Sequence, residues 1–404
     1  MRVVIKSGKA KGRISAPPSK SMAHRLLISA ALCEGKSIVR GVSFCEDVAA
    51  TLDCMSAMGV RHERVGNDVI VYGRNGDNPT PKLPLCCRES GSTLRFLIPW
   101  GLASGKTVMF TGAESLFRRP MSVYENLCRE NGLYFIQDGN SITVKGPLKS
   151  GTYTVPGNIS SQFISGLLFA LPTLKGDSKI KITPPIESRS YIELTLDAIR
   201  CFGIKAGWED EYTLSIAGGQ KYMPTDTAVE GDYSGAAFIE ALSLFGGEVT
   251  VDGLKEDSLQ GDKEYRKYYS LLNCGVPTVH IGDCPDLGPV LFSVAAGKFG
   301  GIFTGTRRLK IKESDRAAAM AQELKKFGCL ATVTEDKVVI YPAELHKPSE
   351  PLYGHNDHRI VMALAVLLTV TGGEIIGAEA IAKSYPEFFR DLKALGIEVE
   401  EYDA

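Results

Sequence analysis

A lysine, a serine, a histidine and an arginine crowd into the stretch Ser19-Lys20-Ser21-Met22-Ala23-His24-Arg25. Pro17 and Pro18 give it an extended entry. Ser19 or Ser21 can then cap a helix that runs on through Leu26, Leu27 and Ile28. On such a helix Lys20 shares a face with His24, and Ser21 with Arg25. Cations and a hydroxyl beside the unpaired N–H groups of a helix start are the parts of an anion site. The plainer alternative is a capped surface helix with solvated cations. A nucleotide P-loop does not fit, because no Gly-x-x-x-x-Gly precedes Lys20-Ser21.

Further cations recur at similar places. Ser115-Leu116-Phe117-Arg118-Arg119-Pro120-Met121 sets Arg119 before a helix expected to begin at Pro120. Lys312-Glu313-Ser314-Asp315-Arg316 opens a helix expected over 317–327, with Ser314 as its candidate cap. Arg359 stands where an apolar helix begins, and Lys383-Ser384-Tyr385-Pro386 precedes the last helix. Arginine grips carboxylate and phosphate bidentately, so this set suits a substrate carrying both. Two acids, Asp286 and Glu313, also fall at expected caps; paired acids near cations can divide the roles of base and acid. Any one of these charges alone is more often a cap or a solvated helix face than a site residue. His355-x-x-His358 has no third ligand nearby to make a metal site. Neither a Gly-x-Ser-x-Gly elbow nor a Gly-x-Gly-x-x-Gly turn after a strand occurs.

Two interleaved series would position these groups. Gly59, Gly132, Gly203, Gly275, Gly328 and Gly396 each close a helical stretch, at separations of 73, 71, 72, 53 and 68 residues. Each reads as a helix C-cap, and several are followed by a hairpin pattern such as Leu133–Gln137 and Ser141–Val144 around Asp138-Gly139-Asn140. Ser-, Asp- or Gly-rich turns with the same period open apolar helices, at Pro18–Ser21, Glu89–Arg95, Asn158–Gln162, Gly231–Gly235, Asp283–Asp286 and Gly354–Arg359. Two series in one period predict six α/β units. The short step from Gly275 to Gly328 predicts that one copy has lost an element. Domain size favours three units plus three, divided near Pro224-Thr225-Asp226. The opening strand, Met1-Arg2-Val3-Val4-Ile5, could complete the second group, so that the chain crosses twice, with linkers near 13–16 and 224–228. Parallel helices within each group would then turn six positive ends toward one cleft.

Composition allows this and narrows the rest. The 404 residues are 44% hydrophobic and 23% charged, as in an ordinary globular protein with several domains. Lys plus Arg, at 46, balances Asp plus Glu, at 47, which argues against a general nucleic-acid binder. The strongest apolar run, Ile360 to Val370, is too short to span a membrane, and no leader is expected before the first strand. Ten cysteines without regular spacing predict reduced, mostly buried thiols in a cytoplasmic protein. Met55 and Met58 read as core.

Taken together, Pro18-Ser19-Lys20-Ser21-x-x-x-Arg25, Ser160-Ser161-Gln162-Phe163, Glu230-Gly231-Asp232, Pro285-Asp286, Lys312-Glu313-Ser314-Asp315-Arg316, Asn356-Asp357-His358-Arg359 and Lys383-Ser384-Tyr385-Pro386 resemble the signatures of the 5-enolpyruvylshikimate-3-phosphate synthase family. They do so along the whole chain and in family order. The resemblance implies an α/β, two-lobed enolpyruvyl transferase fold of three repeats per lobe, like an inverted α/β barrel. Residues 15–226 would form one lobe, and 1–14 with 227–404 the other. It implies phosphoenolpyruvate and shikimate 3-phosphate as substrates, a cytoplasmic monomer, and no cofactor, metal, nucleic acid or membrane. By motif, Lys20, Ser21, Arg25, Ser160, Ser161, Gln162 and Ser188 would hold shikimate 3-phosphate, assisted by Lys312. Lys20, Gly91, Arg119, Gln162, Arg316, Arg359 and Lys383 would hold phosphoenolpyruvate. Asp286 would take the hydroxyl proton and Glu313 would deliver one to the methylene carbon, with Lys20 also in a catalytic place. Hinge closure on shikimate 3-phosphate is expected to bring the two sets together. The family is the target of glyphosate, and Gly91, rather than alanine, implies sensitivity.

Three positions depart from the family pattern. Glu89-Ser90-Gly91-Ser92 replaces a frequent Asn-Ala-Gly-Thr, Arg308 stands where asparagine is common, and Ser188-Arg189-Ser190-Tyr191 matches Ser-Lys-Pro-Tyr in part. A sister family, which transfers the same group to a UDP-sugar, typically has Lys-Asn at the first helix and often a loop cysteine. Here the helix reads Lys-Ser, and 112–120 contains no cysteine. A non-catalytic anion-binding repeat protein would explain the cations but not the acid pair.

Overall fold

The computed structural model describes residues 1–74, 81 and 83–403. The chain divides into two compact units, Pro18–Glu230 and Met1–Pro17 with Gly231–Ala404. Each has its own apolar core.

One repeat shows the design. Leu85–Cys86 leads through the helix Gly91–Ala103 to Thr107–Thr111, which pairs with it in parallel. The helix Ser122–Glu130 follows, then an antiparallel hairpin, Tyr134–Asp138 and Ser141–Lys145. The second hairpin strand inserts beside Thr107–Thr111, with Val108 opposite Val144 and Phe110 opposite Ile142. These four are buried, so one face of the sheet packs on the helices. The same order recurs in the sheets built on Thr152–Pro156 and Thr278–His280. The repeats built on the helices Lys20–Ala31 and His358–Thr371 borrow a strand from the opposite end of their own unit. Asp226–Ala228 pairs in parallel with Ile38–Arg40, and Arg2–Ile5 lies between Gly373–Ile376 and Val399–Tyr402.

The remaining repeat is the shortened one. Lys11–Ser15 pairs in parallel with Glu248–Asp252, and the helices Tyr233–Leu244 and Tyr265–Leu272 accompany them. No hairpin follows; the chain passes straight into Thr278–His280. That omission shortens the step from Gly275 to Gly328. It also corrects the reading of Gly275. The other five glycines of the series have φ between 64° and 88°, the left-handed C-cap conformation, while Gly275 is not among the left-handed glycines. The segments expected as linkers are corrected as well. Both lie in hydrogen-bonded strands, Lys11–Ser15 and Asp226–Ala228, and the units divide just beyond them, after Pro17 and after Glu230.

The first helix of each repeat is apolar around most of its circumference and sits inside its unit; in His358–Thr371 everything from His358 to Thr369 is buried. The second helices are more amphipathic, as in Arg189–Cys201. Side chains of Ser19, Ser90, Ser160, Asp232 and Asp357 accept hydrogen bonds from backbone N–H groups at five of the first-helix starts. Asp286 does not cap. It lies in a 3-10 turn, Pro285–Leu287, ahead of the helix Gly288–Ala296, and its carboxylate meets Arg316, Lys312 and Arg359. Nor does Ser314 cap: Asp315 accepts from Ala318 N at 3.1 Å instead. The helix after Arg119 begins at Ser122, not Pro120; the Pro120 carbonyl accepts from the Arg95 guanidinium at 3.3 Å. Met55 and Met58 are core residues. No disulfide joins any of the ten cysteines, seven of which are buried. Among the described residues no helix is long and apolar enough to cross a membrane.

Two first helices of Pro18–Glu230 cross at close range. A Cβ on Gly166 would lie 2.4 Å from the Arg95 carbonyl oxygen and 2.3 Å from the Tyr124 hydroxyl. That hydroxyl donates to the Arg95 and Phe163 carbonyls, at 2.7 and 3.0 Å. Gly166→Ala must part the helices or break this clasp, and is expected to destabilise by about 2 kcal/mol or more. Thermal or urea unfolding measures it; a variant as stable as the parent would contradict the close crossing.

Candidate active site

Within Pro18–Glu230 the helix starts share a polar network. Lys20, the first helical residue, pairs with Asp47 at the start of the helix Glu46–Ala57, at 2.7 Å. Behind it His24 is fully buried. Its Nδ1 lies 2.7 Å from the Thr51 hydroxyl, which bonds in turn to Thr93 at 2.7 Å. Burial, then Lys20 and Arg25, hold this imidazole well below its usual pKa, so it is neutral structure and does not add a cation at Lys20. Arg25 is also buried. It donates to the Thr195 hydroxyl and to the Ser21 and Tyr191 carbonyls at 2.7–2.9 Å. Burial lowers its pKa to about 10. Its plane lies over Phe96, 5.1 Å from the ring centre.

The second and third repeats are tied through Gln162. Its Oε1 accepts from Arg95 at 2.7 Å and its Nε2 donates to the Ser92 hydroxyl at 2.9 Å. Gly91 faces this pair and Arg119. A Cβ there would lie 3.1 Å from an Arg119 nitrogen, 3.2 Å from Arg95 and 3.6 Å from Gln162. Lys20, Gly91, Arg119, Ser160, Ser161 and Gln162 thus stand at or beside the starts of first helices. Ser188 precedes the helix Arg189–Cys201, buried and held left-handed at φ 58°. A serine in that conformation stores strain of about 1 kcal/mol or more, a frequent mark of a ligand-gripping turn.

In the other unit the centre is Arg316, whose side chain is 1% exposed. Its Nε donates to Asp357 Oδ2 at 2.8 Å, its Nη1 to Asp286 at 2.7 Å and its Nη2 to Glu313 at 2.7 Å. Asp286 also meets Lys312 at 3.2 Å and Arg359 at 3.1 Å. Burial pushes the Asp286 carboxyl up, but Arg359, Lys312 and Arg316 outweigh it and hold the group well below the carboxylate range. Burial lowers the Lys312 ammonium, and Asp286 offsets part of that. Asp357 is fully buried. It caps the helix His358–Thr371 through Arg359 N at 2.9 Å and accepts from the Ser314 hydroxyl at 3.0 Å. His355 and Asn356, with φ of 49° and 51°, turn the chain so that the Asn356 carbonyl accepts from Lys383 at 2.6 Å.

Every charged residue expected in this unit therefore joins one network, apart from Lys383, which is bound to the turn beside it. His355 belongs elsewhere: its Nε2 lies 2.9 Å from buried Glu323, and among the described residues no metal-holding cluster of His, Cys, Asp and Glu occurs. Arg308 donates to the Gly282 carbonyl. The sequence reading passed over Asp47, Arg95 and the role of Asp357. Arg95 and Asp357 lie in the expected capped turns and Asp47 in the first turn of a second helix, but their partners are 67, 41 and 27 residues away.

Two carboxylates held by one guanidinium, one of them also by a lysine and a second arginine, can move protons beside a bound anion. Comparison with known proteins gives this chemistry a context. The family model for EPSP synthase (3-phosphoshikimate 1-carboxyvinyltransferase) matches residues 4–276 and 266–392. A 3-phosphoshikimate 1-carboxyvinyltransferase of Clostridium kluyveri is 38% identical, over 99% of this chain and 98% of its own. One from Clostridium perfringens is 39% identical, over 98% of each. The solved EPSP synthase of Acinetobacter baumannii superposes with a TM-score of 0.79 at 26% identity, over 99% of this chain and 100% of that one.

The depressed Asp286 pKa has a consequence for stability. A carboxyl that is more acidic folded than unfolded binds fewer protons in the native state, so its contribution is complete above the ordinary carboxylate pKa of about 4 and is lost as pH falls through the folded value. Asp286→Asn leaves three cations without that charge and is expected to cost about 3 kcal/mol at neutral pH. Denaturant unfolding across pH should show the gap between parent and variant constant above about pH 5 and shrinking below pH 4. A gap that closes already near pH 6 would contradict the cation-held carboxylate.

Proposed function

The chain belongs to the EPSP synthase family, and from that premise we propose how its side chains divide the work. The enzyme transfers the enolpyruvyl group of phosphoenolpyruvate to the 5-hydroxyl of shikimate 3-phosphate and releases phosphate, by addition followed by elimination. Lys20, Ser21, Arg25, Ser160, Ser161, Gln162 and Ser188 hold shikimate 3-phosphate, with help from Lys312. Lys20, Gly91, Arg119, Gln162, Arg316, Arg359 and Lys383 hold phosphoenolpyruvate. Helix starts and buried cations suit a phosphate ester and a carboxylate-phosphate. The absence of a side chain at Gly91 leaves room against the Arg119 and Arg95 guanidinium groups.

Asp286 takes the proton of the 5-hydroxyl as that oxygen bonds to the enol carbon, and Glu313 delivers one to the methylene carbon. In the free enzyme Asp286 is a weak base, because three cations favour its ionised form. The negative charge of phosphoenolpyruvate among Arg316, Arg359 and Lys312 offsets them and raises its proton affinity when the hydroxyl is in place. Elimination then returns the methyl proton to Glu313 as the carbon–oxygen bond to phosphate breaks; the departing phosphate takes up the proton held by Asp286, and the same cations stabilise it. The observation that carries this assignment is that Arg316 bonds Asp286 and Glu313 at once, both at 2.7 Å. The protein works as a cytoplasmic monomer.

Replacing either acid by its amide separates proton transfer from binding. Asp286→Asn and Glu313→Gln should each lower kcat by about a hundredfold or more while changing KM for either substrate by only a few fold. Steady-state phosphate release measures both constants. A loss confined to KM would make the two acids binding groups.

A further inference from the structure

Asp262 is a buried carboxylate to which the reaction above gives no task. It lies in the short 3-10 turn Gly261–Glu264 and is 3% exposed. Gln260 pins this turn to the start of the helix Tyr233–Leu244, accepting from Tyr233 N at 3.0 Å and donating to the Gly231 carbonyl at 2.7 Å. On the first turn of that helix stands Ser234, also buried, whose hydroxyl donates to Asp262. The same oxygen accepts from Arg359 Nη2 at 3.3 Å, and Arg359 Nη2 donates as well to Asp286 at 3.1 Å. A serine hydroxyl carries one proton. With that proton committed to Asp262, the oxygen presents lone pairs to Arg359. The charge of Asp262 is felt nearby too: the Cys284 thiol, two residues before Asp286, is pushed up by burial first and by Asp262 next.

We propose that Asp262 and Ser234 are positioning residues for phosphoenolpyruvate, fixing the Arg359 guanidinium from behind so that it faces the phosphate. Taking a charged side chain out of water is costly, and a carboxylate kept buried two hydrogen bonds from the arginine has its use in orienting that arginine. Asp262→Asn keeps the shape and removes the charge, so the serine proton loses its fixed direction. Ser234→Ala removes the link itself. The inference rests on the reading that Arg359 binds phosphoenolpyruvate, and the test separates the two.

Each variant is assayed for KM of both substrates, for kcat, and for inhibition by inorganic phosphate, alone and combined with Arg359→Ala. Asp262→Asn and Ser234→Ala should each raise KM for phosphoenolpyruvate about tenfold and weaken phosphate inhibition in parallel. KM for shikimate 3-phosphate should stay within about twofold. In the Arg359→Ala background neither should have a further effect, because the group they position is gone. Equal rises in both KM values, or full additivity with Arg359→Ala, would make the pair merely structural and overturn the proposal. If Arg359→Ala itself leaves KM for phosphoenolpyruvate unchanged, the assignment of Arg359 fails, and the positioning role falls with it.

Discussion

A guanidinium taken almost wholly out of water must find an acceptor for each of its donor edges. Arg316 is that group. Its Nε, Nη1 and Nη2 each meet a different carboxylate, from Asp357, Asp286 and Glu313. Burial lowers its pKa, yet Asp357, Glu313 and Asp286 more than compensate and raise it, so it stays charged. Much of the surrounding structure follows from this need. The turn 312–316 is fixed because Ser314 and Arg316 both bond Asp357. The helix His358–Thr371 is capped by the same Asp357, which sets the backbone of Arg359. The 3-10 turn at Pro285–Leu287 sets the Asp286 carboxylate against three cations. One charge requirement thus joins the starts of three helices into one arrangement.

The other unit meets the same problem by different means. Arg25 is buried against a hydroxyl and two carbonyls, and Arg95 against an amide oxygen and a carbonyl. These acceptors are neutral, so they satisfy the hydrogen bonds without cancelling the charge. Lys20 pairs with a carboxylate, Asp47. Cations at helix starts draw in a phosphate ester. A site in which cations and carboxylates are interlocked holds proton carriers ready and exchanges partners when an anion arrives. The proposed division of labour between the two sets of residues accords with these different surroundings.

The period of the fold was legible because its signals are local. A left-handed glycine after a helix and a capping side chain before one are each set by a few neighbouring residues. Ser19, Ser90, Ser160, Asp232 and Asp357 therefore stand where caps were expected. The missing hairpin was visible only as a short interval, and the sequence reading could not say which element had gone. Choices between adjacent residues were lost: Asp315 caps where Ser314 was expected, since both can do so and Asp357 claims the serine. So were the long-range partners Asp47, Asp357 and Asp262, because an acid reads the same whether it faces solvent or a buried arginine.

In the proposed mechanism Arg316 holds two proton carriers at once, and Arg316→Lys tests that most directly. Lysine keeps the charge but concentrates it on one nitrogen, which cannot span three carboxylates in the directions a guanidinium does. Steady-state kcat of the variant, with shikimate 3-phosphate binding as a check on folding, is the measurement. The account predicts a fall in kcat of about a hundredfold or more with that binding intact. A lysine variant that turns over within a few fold of the parent would show that charge alone suffices and that the shared guanidinium does not organise the acids.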